Sequence, residues 1–468
     1  MTEYLAAAVV IVCAVAAACG GGPAQNQAVP ATTAVVYEGA RLIAGDGTAP
    51  VEQGAFVVED GRITAIGAMG GVAAPAGATQ VDLSGKTVMP ALIGAHGHVG
   101  YQKGATFLRE NYTRDNIRND LARAAYFGLA TVMTLGIDTS EHVYALRDET
   151  AAGTAGIARL RTAGTGIGGP NAGPGNTVYS RGVAYEAVTE DDGRNAVREL
   201  APHKPDLVKI WLDDRGGRGQ KLRPEVVKAI VEEAGTHGLK VIAHVRGHAD
   251  AEVAVQGGVY ALAHLARDRE MDDALVAAIV QKGIYVTPTL SMAERNNYAG
   301  AVPEWLEEPF LKGLLTDSLA PEALARLRAS FVMRDPKDAA ESRESYGILH
   351  RTVTRLNAAG ARLVLGGDTG LPEHFWGLAE HRELELLVAA GLTPMQALVA
   401  GTSRAAEFLN LPDLGTLAPG KTADFLVLDA NPLDDIRHTR RIRALYMAGA
   451  PVDRAALRKR WAPEGATN

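Results

Sequence analysis

From about residue 88 onward, short apolar runs alternate along the chain with patterns typical of amphipathic helices. The helical patterns are clearest at 224–237 and 271–282, and a longer helical insertion is expected at about 303–350. Nearly continuous apolar runs separated by helices are typical of parallel strands buried on both faces. The pattern predicts an α/β fold, a distorted (β/α)₈ TIM barrel. The eight runs are 88–93, 131–135, 159–162, 207–211, 241–243, 260–263, 284–287 and 363–365.

Both ends of this region are flanked by further patterns typical of β-strands. Between two of the early runs, Glu59-Asp60-Gly61-Arg62 supplies a hairpin turn. We expect the two ends to pair into one small composite β-sandwich beside the barrel. The runs are 34–37, 55–59, 63–66, 425–428 and 444–447. The predicted domains are a β-sandwich of 34–86 and 412–457 and a barrel of 87–411.

The first 33 residues have the pattern of an export signal followed by a tether. The apolar run 5–18 would rise about 21 Å as a helix, which is too short for a bilayer core of about 30 Å. Small residues before Cys19 are typical of a bacterial lipoprotein signal over 1–19, with a flexible tether over 20–33. A plain signal peptide or a short anchor is the alternative. We expect an exported enzyme, periplasmic or held at the membrane through a lipid on Cys19.

Charge and cysteine content narrow the choice of partner. The chain has 47 Lys and Arg against 54 Asp and Glu, a formal net charge of −7. It shows no basic domain, so nucleic acid is not an expected partner. The two cysteines both lie within the first twenty residues, and two cannot build a disulfide framework. We therefore expect a small-molecule substrate, with association into a homo-oligomer left open.

Polar side chains close several of the predicted barrel strands. Barrel enzymes place their catalytic groups at this end of the strands. Along an extended chain, residues i and i+2 point to the same side, so His96 and His98 can face one ion. Histidine and carboxylate are ligands of zinc and similar divalent metals. Six residues share this placement: His96, His98, Lys209, His244, His264 and Asp368.

Each of these residues taken alone has a plain structural interpretation. A lone strand-end histidine is usually a hydrogen-bonded structural residue, and a lysine such as Lys209 usually extends its ammonium outward. Asp368 before a Gly-rich loop can simply start a turn. Their joint placement at five of eight predicted strand ends is what points to a metal centre.

Two further segments carry a resemblance to a known family. Residues 87–93, leading into His96-Gly97-His98, resemble the first-strand motif of the amidohydrolase superfamily. Residues 391–398, Thr402 and 414–424 resemble its closing segment, which marks the composite β-sandwich. Gly94 stands where the family usually has an aspartate that is not normally a ligand. The whole set is similar to the binuclear, imidazolonepropionase-like and prolidase-like members.

The resemblance implies two divalent metal ions, of which zinc is the expected kind. It implies that His96, His98 and Asp368 bind the more buried ion, and that His244 and His264 bind the more exposed one. It further implies that Lys209 carries a carbamate formed from carbon dioxide that bridges both ions. A bridging hydroxide would then attack the substrate carbonyl, with Asp368 acting as general base and then as general acid.

Other polar residues near these strand ends are harder to assign. Arg267 is either part of a surface salt bridge or a bidentate ligand for a substrate carboxylate. Asp213, Asp214 and Arg215 are expected to be solvated. His248 is expected behind the metal ligands or in solvent.

The expected reaction is hydrolysis of an amide bond in a dipeptide or N-acyl amino acid with a free carboxylate. One alternative keeps the metals but changes the bond to a lactone, ester, cyclic amide or phosphotriester. Another is a lipid-anchored binding protein without catalysis, and the complete set of six side chains argues against it.

Overall fold

The computed structural model describes residues 34–104, 106–139, 141–173 and 183–460. The predicted signal peptide, the lipidation site Cys19 and the tether over 20–33 lie outside these residues. Among the described residues, none of the helices combines the length and hydrophobicity that crossing a lipid bilayer requires.

Strands and helices alternate through most of the described chain. The strands are β1 (Val35–Leu42), β2 (Val51–Glu59), β3 (Arg62–Ala68), β4 (Thr79–Asp82), β5 (Thr87–Pro90), β6 (Leu92–Gly97), β7 (Gln102–Lys103), β8 (Thr106–Phe107), β9 (Leu129–Thr134), β10 (Arg159–Thr162), β11 (Ile167–Gly168), β12 (Tyr185–Glu186), β13 (Val208–Trp211), β14 (Val241–His244), β15 (Ala261–Ala263), β16 (Tyr285–Thr287), β17 (Arg362–Leu363), β18 (Phe425–Leu428), β19 (Ile442–Met447) and β20 (Ala450–Pro451).

The α-helices pack around these strands. They are α1 (Arg114–Tyr126), α2 (His142–Thr150), α3 (Glu190–Leu200), α4 (Pro224–Thr236), α5 (His248–Gln256), α6 (Asp273–Gln281), α7 (Leu290–Glu294), α8 (Glu304–Glu307), α9 (Pro309–Ser318), α10 (Pro321–Val332), α11 (Pro336–Ala358), α12 (Leu378–Ala389), α13 (Pro394–Ala400), α14 (Ser403–Phe408) and α15 (Arg454–Arg458). Short 3₁₀ helices lie at Arg109–Asn111, Ala201–His203, Arg295–Asn297 and Ile436–Arg440.

The central strands form two parallel sheets. One has the order β10-β9-β6 and the other the order β12-β11-β13-β14-β15-β16-β17. Backbone hydrogen bonds join the sheets on one side, where the Ala95 amide donates to the Leu365 carbonyl (2.9 Å) and the Asp368 amide donates to the His96 carbonyl (3.0 Å). On the other side the Asp206 amide donates to the Thr162 carbonyl (2.8 Å). The prediction of an α/β fold with parallel strands is confirmed.

The first predicted strand, 88–93, is divided between two sheets. Its first half is in β5, which pairs with β1 and β18, and its second half is in β6, which pairs with β9. The change of partner occurs at Ala91, whose amide donates to the Asp424 carbonyl. Pro90 has no amide proton to donate, so it suits the end of a paired segment. Both halves are equally apolar, so the sequence pattern alone does not reveal this division.

The two ends of the described chain meet in a third sheet. Its order is β20-β19-β18-β5-β1-β2-β3, with β4 beside β1. The predicted hairpin turn is present between β2 and β3, with Asp60 at φ 48° and Gly61 at φ 75°, the left-handed values that a tight two-residue turn requires. Stacked aromatic rings fill the sheet's apolar face, among them Tyr37 on Phe56 at 4.8 Å. The predicted domain boundaries stay a prediction.

A buried ion pair connects this third sheet to the parallel sheets. The guanidinium of Arg159, in β10, makes two hydrogen bonds to the carboxylate of Asp424, which precedes β18. The Ala448 amide also donates to Asp424 (2.7 Å), and Arg159 donates to the Ala151 carbonyl (3.1 Å). Both side chains are almost completely buried, so each charge depends on the other for solvation.

We predict that Asp424→Asn lowers the free energy of unfolding by about 3 kcal/mol, because the buried Arg159 charge loses its counter-ion. The matched control is Asp413→Asn, which removes a carboxylate from a half-exposed pair with Arg62 and should cost about 0–1 kcal/mol. Thermal and urea unfolding of both variants measures the difference. Equal losses in the two variants would contradict a structural role for the buried pair.

Candidate metal centre

The strand register brings the predicted polar residues to one end of the parallel sheets. His96 lies in β6 and Lys209 in β13, while His244 is the last residue of β14. His264 follows β15 directly, and Asp368 follows β17 by five residues. Because neighbouring parallel strands run in the same direction, their carboxyl ends lie at the same face of the structure.

All six of these side chains line one cavity. Its volume is about 360 Å³, and its walls also include Arg267. The six candidate ligands are His96, His98, Lys209, His244, His264 and Asp368. With Arg267, seven residues that the sequence analysis named therefore lie around one cavity.

Three of the side chains are close enough to share one cation. The Asp368 Oδ1 atom lies 3.0 Å from His98 Nε2 and 3.3 Å from His96 Nε2. Ligand atoms of the three residues all lie within 4.8 Å of one another. His96 Nε2 is buried without a hydrogen-bond partner among the described residues, as expected of a nitrogen that binds a metal. Two imidazoles and a carboxylate are a donor set that fits zinc.

Threonine hydroxyls hold two of the histidine rings in place. Thr287 Oγ1 lies 3.1 Å from His96 Nδ1, and Thr289 Oγ1 lies 2.6 Å from His264 Nδ1. A hydrogen bond at one ring nitrogen fixes the orientation of the ring and leaves the other nitrogen free for a metal. For both rings that nitrogen is Nε2, and His264 Nε2 is 3.9 Å from Asp368 Oδ2. The sequence analysis did not identify these threonines.

A buried carboxylate faces the fourth histidine. Asp213 Oδ1 is 3.7 Å from His244 Nε2, so Nδ1 is the ring nitrogen that does not face a carboxylate. Asp213 is 2% exposed, and neither of its oxygens has a hydrogen-bond partner among the described residues. Burial alone would raise its pKa, but the interaction with His244 holds the pKa below the usual range. The expectation that Asp213 is solvated was wrong, because Asp213 lies two residues after β13 and packs beside His244 of the neighbouring strand β14.

Backbone strain directs two of the side chains. His264 has φ 68° and Asp368 has φ 54°, left-handed values that non-glycine residues seldom adopt. Each costs of the order of 1 kcal/mol or more, and such residues cluster at functional sites. His264 directly follows β15, and Asp368 lies in the segment after β17; both side chains line the cavity.

Lys209 is almost completely buried, at 1% exposed. Gly136, at φ 88°, leaves room for its stem, because a Cβ atom there would lie 2.6 Å from Lys209 Cγ. Burial lowers the pKa of Lys209 from 10.5 to about 7. At neutral pH, Lys209 is therefore a neutral amine in a substantial fraction of the molecules. Only a neutral amine can react with carbon dioxide.

The charge states of the neighbouring groups also suit metal binding. Burial and the nearby Lys209 lower the pKa of His96 to about 3, and burial and His244 hold the pKa of His264 well below its usual value. Although burial opposes it, His96 and His264 hold the pKa of Asp368 well below its ordinary range. The site therefore offers neutral imidazoles and an ionised carboxylate, the forms that bind a metal.

Arginines form much of the remaining cavity wall. Arg267 lies on the wall together with Arg215, Arg246 and Arg295. Within the described parts of the chain, Arg267 makes no ion pair, and its Nε atom has no hydrogen-bond partner. A surface salt bridge is therefore not its role here. Arg246 and Arg295 are site residues that the sequence analysis missed.

Three other histidines do not line the cavity. His248 is buried at the start of α5, where Arg269 donates to its Nδ1 atom (2.9 Å). His374 lies near the Gly367 carbonyl (2.8 Å), and His381 lies near the Phe127 carbonyl (3.0 Å). All three have structural partners. Of the two expectations for His248, a position in solvent is wrong because the side chain is buried, and a position behind the metal ligands stays a prediction.

Comparisons with known proteins agree with this geometry. The model of the Amidohydrolase family matches residues 87–452. Ochratoxinase from Aspergillus niger is 27% identical over 444 residues, covering 87% of this chain and 83% of that protein. Enamidase from Eubacterium barkeri is 30% identical over 216 residues, covering 44% of this chain and 48% of that protein.

Solved structures show the same fold. A crystal structure of a Xaa-Pro dipeptidase with bound methionine superposes with a TM-score of 0.71 at 21% identity, covering 89% of this chain and 99% of that one. The family match spans most of the chain, and the resemblance expected from the sequence is confirmed. The chain belongs to the amidohydrolase family and is an enzyme, a hydrolase that acts on carbon–nitrogen bonds.

Proposed function

We propose that this enzyme hydrolyses the amide bond of a dipeptide or N-acyl amino acid that carries a free carboxylate. One observation carries the proposal: the metal-ligand set, the buried lysine and an arginine without an ion pair line the same cavity. Its volume of about 360 Å³ is near the lower end for small-molecule sites, which range over roughly 300–1,000 Å³. The similarity to an enamidase, named for an amide bond, supports the choice of bond.

The residues fit a pair of divalent cations. His96, His98 and Asp368 are the ligands we assign to one ion, and His244 and His264 those of the other. Zinc is the ion we expect. When bound, such ions supply Lewis acidity and lower the pKa of a coordinated water from about 15.7 to near 7.

Asp368 is the proton carrier in this proposal. It is ionised at neutral pH and lies beside His96, His98 and His264, so it can accept a proton from the attacking water. It then returns that proton to the leaving nitrogen, because an amine anion is a poor leaving group. A positioned acid and base of this kind contributes roughly 10²–10⁴-fold to the rate.

Lys209 is the residue that we propose links the two ion sites. As a neutral amine it can add to carbon dioxide and, with loss of a proton, form a carbamate, which would supply oxygen ligands for the cations. The surroundings favour this because Lys209 is buried in an apolar strand, and burial outweighs the carboxylates of Asp368 and Asp213, which raise the pKa of Lys209.

Arg267 is the group we assign to the substrate carboxylate. Its planar guanidinium can donate two parallel hydrogen bonds to a carboxylate. Burial and the nearby Arg246 lower its pKa, but arginine stays charged at any physiological pH. An unpaired cation beside the metal ligands therefore favours a substrate with an anionic end.

The remaining architecture completes the proposal. We propose that the two parallel sheets close into a distorted (β/α)₈ barrel, supported by the hydrogen bonds from Ala95 to Leu365 and from Asp206 to Thr162. We further propose that the enzyme is exported and acts on a small molecule outside the cytoplasm. Purified enzyme assayed on dipeptides, N-acyl amino acids, lactones and phosphotriesters tests the bond, and turnover of only the last two classes would contradict the proposal.

We predict that Asp368→Asn lowers kcat for the amide substrate by about 10²–10⁴-fold, because an amide side chain cannot accept the proton. Steady-state kinetics and metal analysis of the same sample measure this. Asp273→Asn, which changes a fully exposed carboxylate, is the matched control and should keep full activity. Near-normal turnover by Asp368→Asn with both ions bound would rule out its role as proton carrier.

We predict that Lys209→Met lowers the metal content from about two ions per chain to about one. Both sites would lose the Lys209 ligand, but the first site keeps three donor residues, His96, His98 and Asp368, while the other keeps only His244 and His264. Metal analysis after dialysis measures the stoichiometry without any activity assay. Lys228→Met on the exposed face of α4 is the control, and the idea fails if both variants keep two ions.

We predict that Arg267→Met raises KM for N-acyl amino acids by about 10–100-fold, because hydrogen bonds to a charged group are worth about 1.5–3 kcal/mol. The methionine keeps the apolar stem, so kcat should change much less. N-acyl amino acid amides, in which a neutral carboxamide replaces the carboxylate, serve as controls. Their KM should be the same for the wild-type enzyme and for Arg267→Met. An unchanged KM for the carboxylate substrates would remove Arg267 from the binding site.

A further inference from the structure

Four arginines surround the cavity of the candidate metal centre. Three follow the strands that carry metal ligands, and the fourth is in the 3₁₀ helix after α7. The four are Arg215, Arg246, Arg267 and Arg295. Such a concentration of guanidinium groups in a cavity of about 360 Å³ sets the charge of any ligand that the cavity accepts.

Three of these arginines have no carboxylate partner. Arg215 lies 3.7 Å from Asp213, but in the described residues Arg246, Arg267 and Arg295 form no ion pair. Arg295 donates to the Pro372 carbonyl, and the adjacent Glu373 pairs with Arg334 instead (3.1 Å).

Unused hydrogen-bond donors accompany the unpaired charges. The Nε atoms of Arg267 and Arg295 are buried without a hydrogen-bond partner among the residues described. Buried donors are normally satisfied, so unsatisfied ones around a cavity indicate a ligand that supplies acceptors.

The carboxylates of the cavity region cannot neutralise this charge. Asp368 and Asp213 supply two negative charges against four guanidinium groups, and neither carboxylate pairs with Arg246, Arg267 or Arg295 in the described residues. A substrate with one carboxylate would pair with Arg267 and leave Arg295 without a counter-ion. Arg295 is half-buried and its Nε atom is unsatisfied, so its unpaired charge costs free energy, whereas Arg246 is exposed to water. A second acidic group on the ligand is therefore favoured, and Arg246 at the mouth can also contact it.

We propose that the substrate is an N-acyl or aminoacyl derivative of aspartate or glutamate, with its second carboxylate bound by Arg246 and Arg295. This inference rests on the proposed function, and it adds the identity of the amino acid that is released. Water adds its oxygen to the acyl carbon and the carbon–nitrogen bond breaks. The nitrogen takes a proton and leaves as the amino group of the acidic amino acid.

The positions of the arginines support this division of roles. The α-carboxylate lies one carbon from the scissile nitrogen and so must bind near the metal ligands, where Arg267 follows His264 by three residues. A side-chain carboxylate extends one or two methylene groups further. Arg246 is exposed at the cavity mouth, and Arg295 lies on the wall formed with Leu371 and Pro372, so both suit the more distant group.

The test compares substrates that differ by one charge. N-acetylglutamate and N-acetylglutamine have nearly the same shape, and the matching alanyl dipeptides repeat the comparison. With the metal-loaded full chain we expect kcat/KM for the glutamate compounds to be about 10–100-fold higher, mainly through KM. N-acetyl-O-phosphoserine tests whether the second group is a phosphate instead.

Variants test whether Arg246 and Arg295 cause the preference for glutamate over glutamine. Arg246→Gln, at an exposed position that should not affect folding, is expected to lower the glutamate-to-glutamine ratio by about tenfold, and Arg295→Met should do the same. Arg198→Gln on the outer face of α3 is the matched control and should keep the ratio. A ratio unchanged in both cavity variants would overturn the assignment of these two arginines.

Binding of products separates this inference from the proposed function. Calorimetry should show that free glutamate binds about tenfold more tightly than glutamine, whether or not turnover is observed. Equal affinity and equal kcat/KM for the two series would overturn the acidic substrate while leaving amide hydrolysis intact. Preference for the phosphoserine compound over the glutamate compound would also overturn it. Failure to hydrolyse any amide, with glutamate still bound preferentially, would contradict the proposed function alone.

Discussion

The candidate site depends on the hydrogen-bonded contact between the first parallel strand and the segment after the last one. The Asp368 amide donates to the His96 carbonyl, and the Ala95 amide donates to the Leu365 carbonyl. This contact brings a carboxylate within 3.3 Å of an imidazole from which it is separated by most of the chain. Every other feature of the cavity is arranged around this pairing, including the threonines that orient His96 and His264.

Burial gives the site its chemistry. The same apolar strands that stabilise the fold keep Lys209 away from water and lower the pKa of His96 and of His264, which favours their neutral forms. A cluster of four histidines, a lysine and four arginines would repel itself if every group were charged. Removal of water therefore selects neutral forms where ligands are needed, while the arginines, which cannot lose their protons, keep a positive charge for an anionic ligand.

Much of this arrangement could be predicted from the sequence because it is encoded locally. Most of the strands are short apolar runs, and the candidate ligands lie in them or within a few residues of their ends, so the strand ends and their polar residues were visible together. The burial of Asp213 and the positions of Arg246 and Arg295 were not, because they depend on how loops fold over the strand ends. The division of 88–93 between β5 and β6 was also hidden, since apolar residues carry no information about which sheet they join.

The contact between β6 and the segment after β17 has a consequence for assembly. His96 and His98 belong to one of the two sheets, and Asp368 follows the last strand of the other. A cation bound by all three residues would cross-link the two sheets where they meet. Binding of the ion and association of the two parallel sheets would then be coupled. The free energy of metal binding would contribute to the free energy of folding.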